Sequence, residues 1–188
     1  MDWVILDGFD ADNGAADEIR TTLRRRLDEA GRRHTCFRVS QMQIAACRSC
    51  GACGYKSPGK CVLKDDLHEI MRTVARGSVL VFLTPIRFGG YPSQLKKVLE
   101  RFMNLGYPTY MVRDGYLLHP MRYGEKSLLV IGVAETDLPS QEATFRLLAK
   151  RNARNLVARH TRAVVVRPGG YIAGPIGDAV EEALSWQN

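Results

Sequence analysis

No stretch of this 188-residue chain approaches the ~20 consecutive apolar residues that a membrane-spanning helix needs. The opening run, Met1-Asp2-Trp3-Val4-Ile5-Leu6-Asp7, sets acids on both sides of a short apolar stretch, the wrong pattern for a secretory signal. A cytoplasmic protein is therefore expected. Histidine is scarce: His34, His68, His119 and His160 are scattered, and none stands with a Ser or Cys in a nucleophile pattern. Repeat periods and low-complexity tracts are absent as well, which excludes a solenoid or a disordered tail. What remains is one domain of ordinary composition, 45% hydrophobic and 25% charged, long enough to bury roughly 70% of its unfolded surface.

The net charge of +7 invites a nucleic-acid reading, so the distribution of charge decides. Arg24-Arg25-Arg26 with Arg32-Arg33 forms one basic group, and Arg146, Lys150, Arg151, Arg154 and Arg159 another. Both have helical spacing, and no aromatic residues alternate with them as a stacking platform for bases requires. Solvated helix faces explain them, and nucleic-acid binding is not expected.

Cysteine is the uneven element of the composition. Four of the five fall within fifteen residues, as Cys47-x2-Cys50-x2-Cys53-x7-Cys61. Four thiolates gathered by short Gly-containing loops can hold an iron-sulfur cluster or zinc, or can form disulfides. Reduced thiols are the rule in a cytoplasmic setting, which argues for metal over disulfides. Three cysteines at x2, x2 spacing favour iron over zinc, whose sites use two separated CxxC arms. Cys36, in the alternating stretch Thr35 to Val39, is expected to be a small buried hydrophobe of a strand.

Along the chain, Trp3–Leu6 reads as a buried strand ending at Asp7-Gly8. Ile19, Leu23, Leu27 and Ala30 form a helical stripe stopped by Gly31, and Thr35–Val39 forms the second strand. The cysteine segment, 47–64, interrupts the alternation. Asp65-Asp66 then caps a helix running to about Arg76. Ser78–Leu83 is the third strand, followed by a Gly- and Pro-rich loop and a helix carrying Leu95, Val98, Leu99, Phe102 and Met103. Residues 106–125 lose the pattern and are expected to be an irregular lid, binding loop or interface hairpin. Leu128–Val133, a helix from Gln141 to about Arg159, a strand at Ala163–Arg167 and a last helix from Asp178 to Trp186 complete the chain. Apolar strands alternating with helices predict an α/β three-layer sandwich around a five-stranded parallel sheet, with ligands at the carboxyl ends of the strands after Leu6, Leu83 and Val133.

The combination of Cys47, Cys50, Cys53 and Cys61 with Lys64-Asp65-Asp66, then Pro85, Phe88-Gly89, Gln94-Leu95-Lys96 and Glu100-Arg101-Phe102, resembles the iron-sulfur flavoproteins of the NADPH-dependent FMN reductase family. The resemblance covers roughly the first 160 residues and is most specific from Cys47 to Phe102. It implies a flavodoxin-like fold with strand order 2-1-3-4-5, an NAD(P)H-dependent oxidoreductase or electron-transfer protein, and a homodimer or tetramer. It also implies FMN and a [4Fe-4S] cluster ligated by Cys47, Cys50, Cys53 and Cys61, with electrons coming from NAD(P)H or a redox partner protein. Gly8, Asn13, Gly14 and Ala15 would hold the FMN phosphate. Pro85, Ile86, Arg87, Phe88 and Gly89, with Glu135 and Thr136, would flank the ring. No acid or base of the protein is expected to be catalytic, because the cofactors carry the chemistry.

Two loops depart from the family pattern. Where hydroxyls and a Gly-Asn-Thr sequence are usual, this chain has Gly8-Phe9-Asp10-Ala11-Asp12-Asn13-Gly14, and two carboxylates oppose a dianionic phosphate. The stretch Glu135-Thr136-Asp137-Leu138-Pro139-Ser140 lacks the usual glycines. A second reading therefore stands beside the first: a flavin-free scaffold or redox-sensing module with iron-sulfur or zinc on the four cysteines.

Overall fold

The computed structural model describes residues 2–10 and 14–186. Two strands set the architecture because every one of their side chains is buried: β3 (Val79–Pro85) and β6 (Ser127–Val133). A strand covered on both faces needs a layer on each side of its sheet, and parallel neighbours supplied by helical crossovers provide it. β1 (Trp3–Asp7), β2 (His34–Arg38) and β7 (Thr161–Val166) complete a parallel five-stranded sheet of order β2-β1-β3-β6-β7. Taking only the strands of this sheet, that order is 2-1-3-4-5, the flavodoxin-like arrangement.

Alternate residues of the central strands feed two cores. Trp3, Ile5, Val81, Leu83 and Ile131 pack with α1 (Gly14–Glu29) and α6 (Ala173–Ser185) on one face. Val4, Leu6, Leu80, Phe82 and Val130 pack with α3 (Leu67–Arg76), α4 (Ser93–Glu100) and α5 (Pro139–Asn155) on the other. The period of two along each strand is what delivers both sets. Gly132 sits where β6 passes the ring of Phe145 of α5, and a Cβ there would meet that ring at 2.5 Å.

Several boundaries differ from expectation. The last helix begins at Ala173, because Gly174 and Gly177 are absorbed into its first turns, and α5 begins at Pro139 and ends at Asn155. The irregular stretch 106–125 contains a short hairpin, β4 (Met111–Arg113) paired antiparallel with β5 (Tyr116–Leu118). Strands of three residues are too brief to print a period on the sequence. Cys36 is exposed rather than buried, since β2 is an edge strand and its α1-facing side borders an open groove with Arg20, Arg24 and Arg38. Burial within that concavity still pushes the Cys36 thiol up to about 11. No helix among the described residues is long and apolar enough to cross a membrane.

Because Phe145 is fully buried, it cannot yield to a new methyl group without disturbing the core. Gly132→Ala is expected to lower the free energy of unfolding by about 1–3 kcal/mol in urea titrations. An unchanged midpoint would mean that the ring has room to move.

Candidate functional site

Three loops at the carboxyl ends of β1, β3 and β6 meet at the edge of the sheet. In the first, Gly8 donates its N–H to the carbonyl of Leu83 at 2.8 Å and lies under Leu95. Asp7 is only 1% exposed: its carboxylate accepts the N–H of Phe9 at 3.0 Å and pairs with Nε of Arg20 at 2.7 Å. The guanidinium of Arg20 also lies over the Phe9 ring, and Ser40 donates its hydroxyl to the Phe9 carbonyl at 2.9 Å. The backbone of Phe9 is thus satisfied within the protein. Gly14 and Ala15 open the first turn of α1, whose sixteen aligned peptides place a partial positive charge at that end. Asn13, expected beside them, lies outside the described residues.

The second loop turns sharply. Arg87 and Gly90 exchange N–H···O bonds of 3.0 and 2.8 Å, and the two residues between them, Phe88 and Gly89, both have positive φ, at 53° and 74°. That is the backbone signature of a type I′ turn. Glycine reaches it at no steric cost, and here a side chain at position 89 would also strike Thr144 of α5. Phenylalanine at positive φ is a strained choice, and its ring is 93% exposed at the tip. Pro85 and Ile86 are buried in the sheet and core and Gly89 is buried against α5, so of the predicted ring-site residues in this loop only Arg87 and Phe88 present the outer surface.

The third loop is held by ion pairs. Glu135 binds Arg87 across the gap between the loops, and Arg167 reaches Asp137 at 3.1 Å and Glu142 at 2.9 Å. Arg146 and Arg167 hold the Glu142 carboxyl below its ordinary value. Arg87 is therefore engaged by Glu135 of the third loop. The Arg87–Glu135 pair is half exposed and contributes about 0–1 kcal/mol, so it aligns the two loops more than it stabilises the fold.

The four clustered cysteines are free thiols around α2 (Ala52–Tyr55), three of them half-buried and Cys50 exposed. Ser49 donates its N–H to Sγ of Cys47 at 3.4 Å. Burial raises the Cys53 thiol, and Cys61, Cys47 and Cys50 raise it further, so the other three sulfurs lie within electrostatic reach of Cys53. Among the described residues, no three His, Cys, Asp or Glu side chains converge on a single ion.

Of the two expected helix caps, Asp65 accepts a first-turn N–H of α3 while the Asp66 side chain does not, and both reach back to the entry of the cysteine segment. Asp66 accepts the N–H of Gln43 at 2.7 Å, and Asp65 accepts those of Ala45 at 2.9 Å and Leu67 at 3.3 Å. Asp65 also pairs with Arg101, whose side chain is only 1% exposed in the 3-10 segment Arg101–Leu105 that continues α4. The same nitrogen, Nη1, donates to the carbonyl of Ala45 at 3.1 Å. Both ends of the cysteine segment are thereby tied to one guanidinium. Burial alone would raise the Asp65 carboxyl, but Arg101 and the two backbone N–H groups outweigh it and hold it low. Nε and Nη2 of Arg101 are buried without a hydrogen-bond partner, although Cys61 lies beside them. Each such orphan donor costs about 1–3 kcal/mol.

Beneath the hairpin, α4 and α5 enclose a largely apolar cavity of about 660 Å³ lined by Phe82, Tyr91, Leu99, Phe102, Leu118 and Leu156. Tyr91 stands edge-on between Phe82 and Phe145, accepts a hydrogen bond from Asn152 at 3.0 Å, and is pushed up to about 12 by burial. Arg101 and Tyr91 are the two residues to which the sequence alone assigns no role. For Arg101 a signal exists, since it interrupts the apolar stripe of Leu95, Val98 and Phe102.

A family model of NADPH-dependent FMN reductases matches residues 1–174. The chain belongs to that family. Among its curated relatives is an iron-sulfur flavoprotein of Methanosarcina thermophila, 29% identical over 40% of this chain and 39% of that protein. Another, from Archaeoglobus fulgidus, is 26% identical over 54% of this chain and 46% of that one. The matched segments thus span less than half of these relatives. Among solved structures, an NAD(P)H:quinone oxidoreductase from Methanothermobacter marburgensis superposes with a TM-score of 0.72 at 14% identity, covering 100% of this chain and 96% of that one. An FMN-dependent NADH-azoreductase from Bacillus anthracis, solved in complex with FMN, gives 0.67 at 13% identity over 99% and 98%. These likenesses at low identity establish the shared fold.

Asp7 and Arg20 bear on the family's cofactor end, and their pairing can be tested directly. Arg20→Ala leaves a buried carboxylate without its cation and is expected to cost about 3–5 kcal/mol of unfolding free energy. Asp7→Asn in the same chain is expected to recover much of that loss, as read by urea denaturation. Equal stability of the single and double variants would show that Asp7 does not depend on Arg20.

Proposed function

We propose that the protein is a flavin-dependent oxidoreductase that binds FMN at the strand ends and a [4Fe-4S] cluster on Cys47, Cys50, Cys53 and Cys61. Electrons come from NAD(P)H or a redox partner and go to an acceptor whose identity lies beyond the site. The single observation that carries this reading is the gathering of four free thiols, three of them within electrostatic reach of Cys53, with Cys61 beside the buried Arg101. A tetrahedral zinc site needs all its sulfurs about 2.3 Å from one point, whereas a cubane spreads them over four irons. Three cysteines at x2, x2 spacing with a fourth eight residues on suit the second requirement.

When bound, the two groups supply hydride and one-electron chemistry. The protein contributes position and electrostatics. Gly14 and Ala15 offer the positive end of α1 to a phosphate, with Gly8 and Asn13 in the same loop. Arg87 and Phe88, with Glu135 and Thr136, would form the outer lips of the ring site, with Gly89 turning the chain against α5 and Pro85 and Ile86 anchoring the loop to the sheet. We treat the chain as one flavodoxin-like domain with a cysteine insertion at 47–64 and a hairpin excursion at 106–125. The exposed Met103, Tyr110, Val112 and Leu117 around that hairpin support a homodimer or tetramer.

A second reading, a flavin-free scaffold that keeps the cluster, is favoured by one feature. Asp7 occupies the Phe9 N–H and brings a carboxylate to the loop where a phosphate would sit.

Protein purified without oxygen distinguishes these readings. Flavin absorbance, a broad visible shoulder, and about four iron and four sulfide per chain are expected. Cys61→Ser is expected to lose most of the iron while retaining the flavin bands. Iron without flavin would select the second reading, and a colourless protein with about one zinc per chain would overturn both.

A further inference from the structure

We propose that Arg101 is the positioning residue of the cysteine site: a buried cation that orients Cys61 and raises the reduction potential of whatever cluster the four thiolates hold. The inference rests on the cluster reading above and deepens it. The guanidinium is almost wholly buried, yet of its three nitrogens only Nη1 has partners, Asp65 and the carbonyl of Ala45. A staple joining Asp65 to the end of α4 uses that one nitrogen and leaves Nε and Nη2 without a nitrogen or oxygen acceptor, Cys61 being the group that approaches them. A guanidinium is a rigid fork, so pinning one tine fixes the direction of the others. Cys61 stands beside that fork and is, after Asp65, the next group acting to keep it charged. A neutral thiol is a weak acceptor, whereas a ligating thiolate is anionic and attracts charge-assisted N–H donors. The idle donors thus match the ligated form of Cys61.

The consequence for potential comes from charge. One-electron reduction, with the electron supplied by a chemical titrant, adds one negative charge to the cluster and transfers no proton. A fixed cation in a poorly solvated position stabilises the more negative state, and Asp65 partly cancels that effect. Removing Arg101 and removing the Asp65 charge must therefore move the potential in opposite directions. A residue that merely supports the fold has no reason to do so.

The test is a redox titration of the anaerobically purified holoprotein, followed by visible absorbance and electron paramagnetic resonance, with iron and sulfide assayed on each sample. Arg101→Gln is expected to weaken the preference for the reduced state about tenfold, a shift of about 59 mV toward negative values for a one-electron couple. Arg101→Lys keeps the charge and is expected to shift less than half as far. Asp65→Asn is expected to shift the potential positive. Potentials unchanged in all three variants, or shifts of one sign in Arg101→Gln and Asp65→Asn, would overturn the proposal. If Arg101→Gln does not fold, the sign of the Asp65→Asn shift decides. An iron-free wild type takes down the cluster reading and this inference together. A loaded wild type whose variants keep its potential takes down this inference alone.

Discussion

Burying a guanidinium costs several kcal/mol unless a carboxylate comes with it, and around Arg101 that requirement organises a large part of the molecule. Asp65 supplies the carboxylate, and it does so from the exit of the cysteine segment while also holding Ala45 at the entry. A loop of about twenty residues with one very short helix would otherwise have many conformations to lose on folding. Closing it at its base by one ion pair and two backbone bonds restricts the search to the segment's interior. The four sulfurs inherit their proximity from that closure.

The same economy is visible at the sheet. Five parallel strands leave three loops at one edge, and each loop is tied down by a different device. The first is tied by Asp7 and Arg20, the second by an I′ turn closed between Arg87 and Gly90, and the third by arginines gripping Glu135, Asp137 and Glu142. The charged clasps of the third loop stand in for the glycines usual in the family. They hold the loop by charged side chains and leave its surface polar.

How much is legible in the sequence depends on which side chains a given geometry forces to be apolar. β3 and β6 are buried at every position, so Val79-Leu80-Val81-Phe82-Leu83 and Leu128 to Val133 could hardly be anything but central strands. The cysteine spacing is easy to see in the sequence, and the structure gathers the four as free thiols around one short helix. Cys36 misleads because an edge strand keeps the alternation of a half-buried one while leaving the covered side open to a groove. Asp65 is only half legible, because an acid before a helix has the same local signature whether or not it also serves a cation 36 residues later. No local pattern encodes a long-range ion pair. The hairpin 111–118 is invisible because its strands are three residues each.

α4 joins the two halves of the proposed chemistry. It comes directly after the Arg87–Gly90 turn and Pro92, runs eight residues, and delivers Arg101 at its far end. At 1.5 Å per residue it spans about 12 Å, and each added or deleted residue would rotate the segment beyond it by about 100°. It therefore works as a ruler with a phase as well as a length. One residue more or less would swing the guanidinium off Cys61 and Asp65 even though the helix itself remained intact. A whole added turn would keep the phase but carry the guanidinium about 5.4 Å past Asp65, so the interval from Pro92 to Arg101 is fixed in both respects.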